Sequence, residues 1–428
     1  MPDNIADVGY YVIDEAILKE YVENGRTYNI AQYIAAFTIT ESINSAVLYA
    51  TLTIIDSADI INNFPIIGEE IITIAYTDSN KNQIRQDFLV YAVTGLGASS
   101  QQNSQLYTLE LCSPQLIMSR SKLIQKSYTG TTTEIAKKVF EQYLIDESRT
   151  LLPNTRQEIQ FEDSAGTQTL VIPALSPLST IDFLKRKSFA PDNLSSHYLF
   201  FQTRTAYKMM TYEKLVKDAK TNFPDKNVYN HSIMDSASAK DKFEAMKNIL
   251  VFSIPQIQNT LDEINEGSML SDTIEVDILN KQYIVHPYQY KDNYEDYTHL
   301  DRTVRFKHTD GYIERFFDEK IVSDLIFVDD DRPNQNYIKI TPHRRSSSFY
   351  LGSIVCKIEI YGRNDLSCGD VLKLNIPEYA INEKNSEKKE NKSFSGFWLI
   401  NDIVHKFEGK EYKCELTLTK DLRKDGVD

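Results

Sequence analysis

The chain has 428 residues, of which 41% are hydrophobic and 25% are charged, a composition typical of a globular protein with more than one domain. Disordered and collagen-like chains are excluded, because apolar residues suffice for a core and there are only 15 Gly and 13 Pro. The 61 acidic residues outnumber the 47 basic residues, which gives a net charge of −14. That balance argues against a protein that grips nucleic-acid phosphates, because such binding needs clustered cations.

Targeting segments and disulfides are not indicated by the sequence. The N-terminus has no basic region followed by an apolar one, so we expect no secretory signal. No run of about 18 apolar residues predicts a transmembrane helix. The cysteines Cys112, Cys356, Cys368 and Cys414 are scattered and form no C-x-x-C pair. We predict that they are buried free thiols rather than disulfide or zinc ligands.

Residues 28–112 have the alternating pattern of antiparallel strands. Between residues 47 and 56, Leu48, Leu52 and Ile54 fall on one face, with Thr51 on the other. Further strand patterns lie at 37–40, 71–77, 88–96 and 106–112. About six short strands separated by turn residues predict a small closed or nearly closed barrel.

Residues 113–235 change to a mixed α/β pattern. Thr131 and Glu134 form the S/T-x-x-E motif of a capping box and predict a helix that begins beside them. Ser176 and Pro177 predict the N-cap and first residue of a second helix. Residues 197–202 and 206–212 then predict a strand hairpin.

Strand patterns return from about residue 245, with one predicted helix within 255–267. The charged, Tyr-rich stretch at 290–320 is interpreted as an exposed insertion. The charge run at 383–392 is interpreted as a solvated loop, because blocks of mixed charge rarely pack into a core.

A weak internal repeat links the two ends of the chain. Residues 68–111 and 369–416 both begin with Gly followed by an acidic residue, Gly68-Glu69 and Gly369-Asp370. Both end in similar strand sequences, YTLEL from Tyr107 and YKCEL from Tyr412. The repeat predicts two related barrels, one at each end of the chain.

Common catalytic and cofactor motifs are absent from the sequence, including H-E-x-x-H, the Walker A motif and G-x-S-x-G. Gly95-Leu96-Gly97 lacks the third glycine of a dinucleotide loop and leads into a strand rather than a helix. His405 is interpreted as a structural, hydrogen-bonded residue. We therefore predict no catalytic, cofactor-binding or metal-binding residues and no cofactor, and we expect that the protein is not an enzyme.

Two features leave alternatives open. His299 and His308 lie among Asp296, Asp301 and Asp310, which allows a metal cluster but fits better with a solvated acidic face. The basic runs at 185–187 and 343–345, beside a predicted helix and loop, could form a DNA clamp. Short runs of three basic residues are more often solvated surface.

Several blocks together resemble the baseplate hub proteins of contractile-tailed phages, which are related to type VI secretion spike proteins and late-control tail proteins. Within the first block, Ser42, Asp56-Ser57, Pro65 and Gly68-Glu69 match the family pattern. The blocks are residues 37–74, 107–144, 175–190, 198–215, 369–379 and 395–422. The insertion near 287–345 and the loop at 383–392 have no counterpart in this resemblance.

The resemblance implies a mainly β fold with α+β insertions. Two related small antiparallel β-barrels, similar to tail-tube units, would flank a mixed α/β domain. The domains expected are a first barrel at 1–115, a mixed domain at 116–240 and a second barrel at 241–428, with the charged insertion near 287–345.

The resemblance also implies a structural function in the virion tail baseplate. A homotrimeric ring would adapt a sixfold tail tube to a threefold central spike, and neighbouring baseplate wedge proteins are possible partners. DNA would pass through the channel without tight binding. The alternatives are the hub of a contractile secretion or injection system and, less favoured, a cell-wall-degrading tail enzyme.

Overall fold

The computed structural model describes residues 8–20, 22, 25–64, 66–98, 104–145, 157–231, 245–257, 259–300, 323–328, 336–378, 390–391 and 393–421. The charge run predicted to be a solvated loop lies mostly outside these residues.

The segment up to residue 230 contains most of the short strands. They are β1 (Tyr11–Lys19), β2 (Thr27–Asn29), β3 (Ile34–Ser42), β4 (Tyr49–Asp56), β5 (Ile71–Asp78), β6 (Gln83–Ala98), β7 (Gln105–Cys112), β8 (Ser127–Gly130), β9 (Glu158–Phe161), β10 (Gln168–Val171), β11 (Tyr198–Gln202), β12 (Ala206–Thr211) and β13 (Val228–Asn230). The second half adds β14 (Val251–Gln256), β15 (Leu270–Asp277), β16 (Gln282–Gln289), β17 (Ser323–Val328), β18 (Ile354–Tyr361), β19 (Val371–Asn375), β20 (Gly396–Glu408) and β21 (Glu411–Lys420).

The helices lie mainly in the middle of the chain and in the excursion between β14 and β18. They are α1 (Ile60–Asn63), α2 (Pro114–Arg120), α3 (Thr132–Phe140), α4 (Pro177–Lys185), α5 (Tyr212–Thr221), α6 (Thr260–Asn265) and α7 (Tyr337–Leu351). No helix among the described residues combines the length and hydrophobicity needed to cross a membrane.

One large, mainly antiparallel sheet dominates the molecule and confirms the predicted β class. Its described strands run in the order β14-β18-β21-β20-β3-β4-β7-β6-β5-β1-β2, with β19 on β20 and β13 on β19. The two ends of the chain therefore share a single sheet, in which β3 pairs with β20. Within the described residues the pairing follows an open path, and neither half closes on itself as a separate barrel.

The strands predicted between residues 28 and 112 are present. On β4, Ala50, Leu52 and Ile54 are buried on one face, as the alternation requires. The sequence reading missed β1, which pairs along its whole length with β5. In β1 the alternation is weak, because Asp14 and Glu15 interrupt the apolar positions.

The mixed α/β region lies around a second core. Its capping box is confirmed: the Thr131 hydroxyl accepts a hydrogen bond from the Glu134 amide at 3.3 Å, and the Glu134 carboxylate accepts one from the Thr131 amide at 3.0 Å. The predicted N-cap Ser176 is also confirmed, with its hydroxyl 3.4 Å from the Ser179 amide. Strands β11 and β12 form the predicted hairpin.

The charged region was expected to be exposed, but its described first part is packed into the protein. Tyr290 and Tyr294 are buried, and together with Tyr350 of α7 they form a small separate core. Their rings explain the difference, because a Tyr-rich segment offers apolar faces that can be buried even between charged neighbours. Residues 301–322 and 329–335 of this region lie outside the described residues.

The two halves of the large sheet repeat one topology. In the first half the order is β3-β4-β7-β6-β5, and in the second it is β14-β18-β21-β20-β19. Each long strand carries a register shift at the same place, after Val90 in β6 and after Ile400 in β20. Strand β6 has a second shift, between Thr94 and Gly97, that β20 lacks. The glycines that open the repeat both have positive φ, 97° for Gly68 and 86° for Gly369, but they lie one residue apart in the repeat. Ile71 faces Leu89 and Val371 faces Leu399, so Gly369 occupies the place of Glu69.

The sequence alignment of the last repeat strand was wrong by two residues. Leu89 faces Cys112 across β6 and β7, whereas the corresponding Leu399 faces Thr419 across β20 and β21. The segment YTLEL therefore corresponds to CELTL, which begins at Cys414, and not to YKCEL. A shift of two residues keeps every side chain on the same face, so the hydrophobic pattern alone could not detect it.

Candidate functional site

The pairing of β3 with β20 is the structural junction of the molecule and is called the joint here. Residues 36–42 run antiparallel to residues 402–408. Phe37 stacks on Phe407 with ring centroids 3.9 Å apart, and Phe407 stacks on Tyr412 at 4.2 Å. These rings lie in one core that contains residues from both halves, so the halves are held together by continuous apolar packing.

A buried ion pair lies beside these aromatic rings. Arg204, in the turn between β11 and β12, donates from Nε to Glu41 of β3 at 2.6 Å, and both side chains are fully buried. Arg204 also donates to the Tyr76 hydroxyl at 3.0 Å and to the Leu366 carbonyl at 2.6 Å. One guanidinium thus binds the middle region to both halves of the sheet, and its hydrogen bonds offset the desolvation of the charge.

The charges in the joint are set by burial and by Arg204. Burial opposes ionisation of Glu41, but the charge of Arg204 and the contact with His405 outweigh it and lower the pKa to about 2. Burial, together with the charge of Arg204, lowers the pKa of His405 to about 4, so this imidazole is neutral near pH 7. Its Nδ1 lies 2.7 Å from the Tyr412 hydroxyl, which confirms the predicted structural histidine.

Sequence reasoning missed Glu41 and Arg204, although one signal was available. Glu41 has the same parity as Phe37 and Ile39 on β3, so the strand pattern places a carboxylate among inward-facing residues. A charge in that position needs a buried partner. The position of Arg204 gave no such signal, because an arginine in a hairpin turn normally reaches solvent.

The two basic runs meet at a cleft of about 740 Å³ in the middle region. The residues that line it include Lys185, Arg186, His197, Arg344, Arg345, Asp262, Glu266 and Asp324. The run at 343–345 lies within helix α7 rather than on the predicted loop. Its position was missed because Pro342 lies inside that helix, where proline normally argues against helical structure.

The cations of this cleft already have partners within the chain. Lys185 and Arg186 both pair with Asp182, at 2.8 and 2.6 Å. The Arg345 guanidinium pairs with Asp324, and Arg344 donates to the backbone carbonyl of Arg186. Asp262 and Glu266 also line the cleft, so that four carboxylates, with Asp182 and Asp324, balance these four cations. This balance weakens the DNA-clamp alternative.

Buried ionisable groups lie behind the cleft. The Ser195 hydroxyl donates to Glu213, and Nε2 of His343 lies 3.6 Å from the same carboxylate. Burial raises the pKa of Glu213 to about 7, and burial lowers the pKa of His343 to about 3. Because the acid lies between Ser195 and His343, these three residues do not form a Ser–His–acid relay, in which the histidine contacts the hydroxyl.

The other sites considered in the sequence have structural partners. All four cysteines are buried and free, as predicted. His299 is held by Asp421 at 2.9 Å and by the Tyr294 carbonyl at 2.8 Å. Asp301, His308 and Asp310 lie outside the described residues, and in the described part of the chain no cluster of His, Cys, Asp and Glu is suited to a metal ion.

Comparison with known proteins identifies similar folds. No protein-family model matches the chain, and no curated protein matches its sequence. The crystal structure of a tail protein from Neisseria meningitidis matches with a TM-score of 0.54 and 10% identity, covering 96% of this chain and 97% of that one. A 43 kDa tail protein of prophage MuSo2 from Shewanella oneidensis matches with a TM-score of 0.55 and 9% identity, covering 95% and 98%. The expected resemblance to tail proteins is confirmed at the level of the fold.

Proposed function

We propose that this chain is the structural hub of a contractile phage tail baseplate. The repeated strand order in the two halves of the sheet carries the proposal, because it gives one chain two similar units. The fold shared with two tail proteins along nearly the whole chain supports a place in the virion tail. We retain the expected organisation of two tube-like units, at 1–115 and 241–428, around a mixed domain at 116–240.

Two similar units per chain explain how a hub can connect different symmetries. A homotrimer of such chains would present six similar units around its axis. A sixfold tail tube could then stack on one face while a threefold central spike docks on the other. The joint supports this role, since the Glu41–Arg204 pair and the aromatic stack fix the two units rigidly within one chain.

The hub would line a channel through which the genome passes. A net charge of −14 disfavours retention of DNA, and three basic residues of the cleft, Lys185, Arg186 and Arg345, are paired with Asp182 and Asp324. We therefore expect duplex DNA to bind no more tightly than about 10⁻⁴ M at physiological salt, which is the range of weak non-specific binders. Sub-micromolar binding in a gel-shift titration, lost on replacing Arg344 and Arg345, would identify an active DNA-gripping protein instead.

Mass photometry of the purified chain, alone and with the spike protein of the same genome, tests the hub function. We expect a species of three times the chain mass in at least one of these samples. A chain that remains monomeric in the presence of its spike contradicts the proposal.

Two other functions are separated by simple observations. A hub of a contractile secretion system would be encoded beside secretion-ATPase genes rather than capsid genes. A cell-wall-degrading tail enzyme would release fragments from purified peptidoglycan. We expect no release, because Ser195 is buried and its hydroxyl contacts the buried Glu213 rather than His343, so no serine–histidine pair faces a substrate.

A further inference from the structure

Several strands of the large sheet have an edge with no partner among the described residues, including the outermost strands β2 and β13. Two of these edges belong to strands of the internal repeat, β6 and β14. Strand β6 pairs with β5 through residues 83–89 and with β7 through residues 89–98, so its second half has an open edge on the β5 side. Strand β14 is the first strand of the described path, pairs with β18 on one edge, and leaves the other edge open. Open strand edges are templates for pairing with another strand.

The internal repeat identifies which strand fits each edge. In the first half, one row of facing residues crosses β3, β4, β7 and β6; its members are Phe37, Leu52, Leu109 and Val93. In the second half, the equivalent row crosses β14, β18, β21 and β20; its members are Phe252, Ile358, Leu416 and Ile403. Strand β6 is thus the counterpart of β20, and β14 is the counterpart of β3. Within one chain, the edge of β20 is covered by β3 in the joint. Because β6 is the counterpart of β20, we expect its matching edge to pair with the counterpart of β3, which is β14.

We propose that β14 of one copy of this chain pairs antiparallel with the second half of β6 in the next copy. This inference rests on the proposed homotrimeric hub and names the strands that close it. The joint fixes the register, because Lys406 faces Thr38 and Phe407 faces Phe37. Transferred through the repeat, Gly97 faces Ser253 and Ala98 faces Phe252 of the neighbouring copy. The paired stretch of β14 then ends before Pro255, which lacks an amide hydrogen.

The composition of both edges favours this pairing. Residues 92–98 and 251–256 contain no charged residue, in a chain of which 25% is charged. Exposed edge strands are often protected by lysine or an inward-pointing charge, and both stretches lack such a charge. Each instead has a register shift, between Thr94 and Gly97 in β6 and between Ser253 and Gln256 in β14, which limits the pairing to residues 97–98 and 251–253. Leu96 is 60% exposed and Val251 is 55% exposed in the single chain, so pairing would bury apolar surface on both sides.

The shapes of the two edges are also complementary. In the joint, Phe407 and Tyr412 form a cross-strand aromatic pair, whereas the corresponding residues of the first half are Ala98 and Gln105. A small residue at 98 leaves room for Phe252 opposite it. A Cβ added at Gly95 or Gly97 would meet no heavy atom closer than 3.9 Å, so a neighbouring backbone can approach freely.

The contact is head-to-tail, because two different strands form it. Such heterologous contacts generate closed rings when the rotation between copies closes. Each copy would use its β14 edge on one neighbour and its β6 edge on the other. The joint within each chain and the contact between chains would then alternate around the ring. Each of the six units would therefore be connected to its neighbours by the same kind of strand pairing.

Disulfide trapping in the full-length chain tests the register. Opposed residues in antiparallel strands have Cα atoms about 4.5–5.5 Å apart, within the range that a disulfide spans. Gly97→Cys with Ser253→Cys should give disulfide-linked dimers and trimers on a denaturing gel after oxidation, reversed by reductant. Each single variant should stay monomeric on that gel, because the four native cysteines are buried.

Two controls keep the outcomes distinct. Thr38→Cys with Lys406→Cys occupies the equivalent pair of the internal joint and should form a disulfide within one chain. Leu96→Lys places a charge on the open edge and should raise the concentration for half-assembly at least tenfold, whereas Gln83→Lys, at the start of β6, should not.

The result that overturns the inference is specific. If mass photometry records trimers and the internal control forms its disulfide, but the Gly97–Ser253 pair gives no linkage and Leu96→Lys assembles normally, the ring uses other surfaces. The hub function would survive that result. If no trimer forms even with the spike protein present, the hub function fails and the strand pairing fails with it.

Discussion

The two halves of the large sheet share a strand order and a register shift, yet they end differently. In the second half, the end of β20 is covered by β3 and sealed by Phe37, Phe407 and Tyr412. In the first half, the end of β6 has Gly95, Gly97 and Ala98 and is exposed. The repeat therefore preserves the backbone pattern, whereas the residues at the strand edges decide which contacts form within one chain.

Breaking the buried Glu41–Arg204 pair should cause the largest loss of stability. Arg204→Met leaves Glu41 buried without its partner, and breaking a buried pair in this way costs about 3–5 kcal/mol. Urea unfolding monitored by circular dichroism measures the loss. The double variant Glu41→Gln with Arg204→Met serves as the control and should recover part of it. Equal stability of Arg204→Met and the unmodified chain would refute the role assigned to the ion pair.

The covered end of β20 and the open end of β6 can be compared directly by truncating one side chain in each. Phe407→Ala removes a ring packed against Phe37 and Tyr412 and should cost about 3–5 kcal/mol. Leu96→Ala lies on the open end and should change the stability of the monomer by less than about 0.5 kcal/mol. The same unfolding measurement applies to both variants. Similar losses would show that the two ends are equally packed in the single chain, contrary to the comparison.

The glycines that precede β5 and β19 provide a finer comparison. Both Gly68 and Gly369 have positive φ, so alanine at either position costs about 1–2 kcal/mol in backbone strain. A Cβ at Gly369 would also lie 3.0 Å from Phe201 and 3.2 Å from Leu215, whereas at Gly68 the nearest atom is 3.9 Å away. Gly369→Ala should therefore be more destabilising, by about 1–3 kcal/mol for the extra crowding. Thermal unfolding of the two variants decides this, and a reversed order would contradict the contacts.

The joint should also respond to pH. The pKa of His405 is lowered from 6.5 to about 4, mainly by burial, so the folded chain takes up this proton less readily than the unfolded chain. The stabilisation is complete above pH 6.5 and is lost as the pH falls towards 4. His405→Gln should flatten this part of the profile of unfolding free energy against pH. An unchanged pH dependence in that variant would mean that His405 does not contribute to it.

The sequence predicted the elements whose signals are local. The alternation of Leu48, Leu52 and Ile54 predicted a strand, and the Thr131–Glu134 motif predicted the start of α3, since both depend on residues close in the chain. The joint could not be predicted in the same way. It unites β3 and β20, which are more than 350 residues apart, through an arginine from a third segment.

The candidate sites illustrate the same limit. The basic runs at 185–187 and 343–345 were visible in the sequence, but their convergence on one cleft and the pairing of Lys185, Arg186 and Arg345 with Asp182 and Asp324 depend on tertiary packing. The repeat was visible as well, but its final strand was aligned two residues out of register. Side chains alternate with a period of two residues, so the hydrophobic pattern cannot distinguish alignments that differ by two. The register shift that follows Val90 in β6 and Ile400 in β20 fixes the correct alignment.

Electron microscopy of the assembled ring, viewed along its axis, tests most directly the claim that one chain supplies two equivalent units. We expect a threefold ring whose averaged top views carry a strong sixfold component in their rotational power spectrum, because each chain contributes two units of the same topology. A threefold ring without a sixfold component, or an assembly without rotational symmetry, would contradict it.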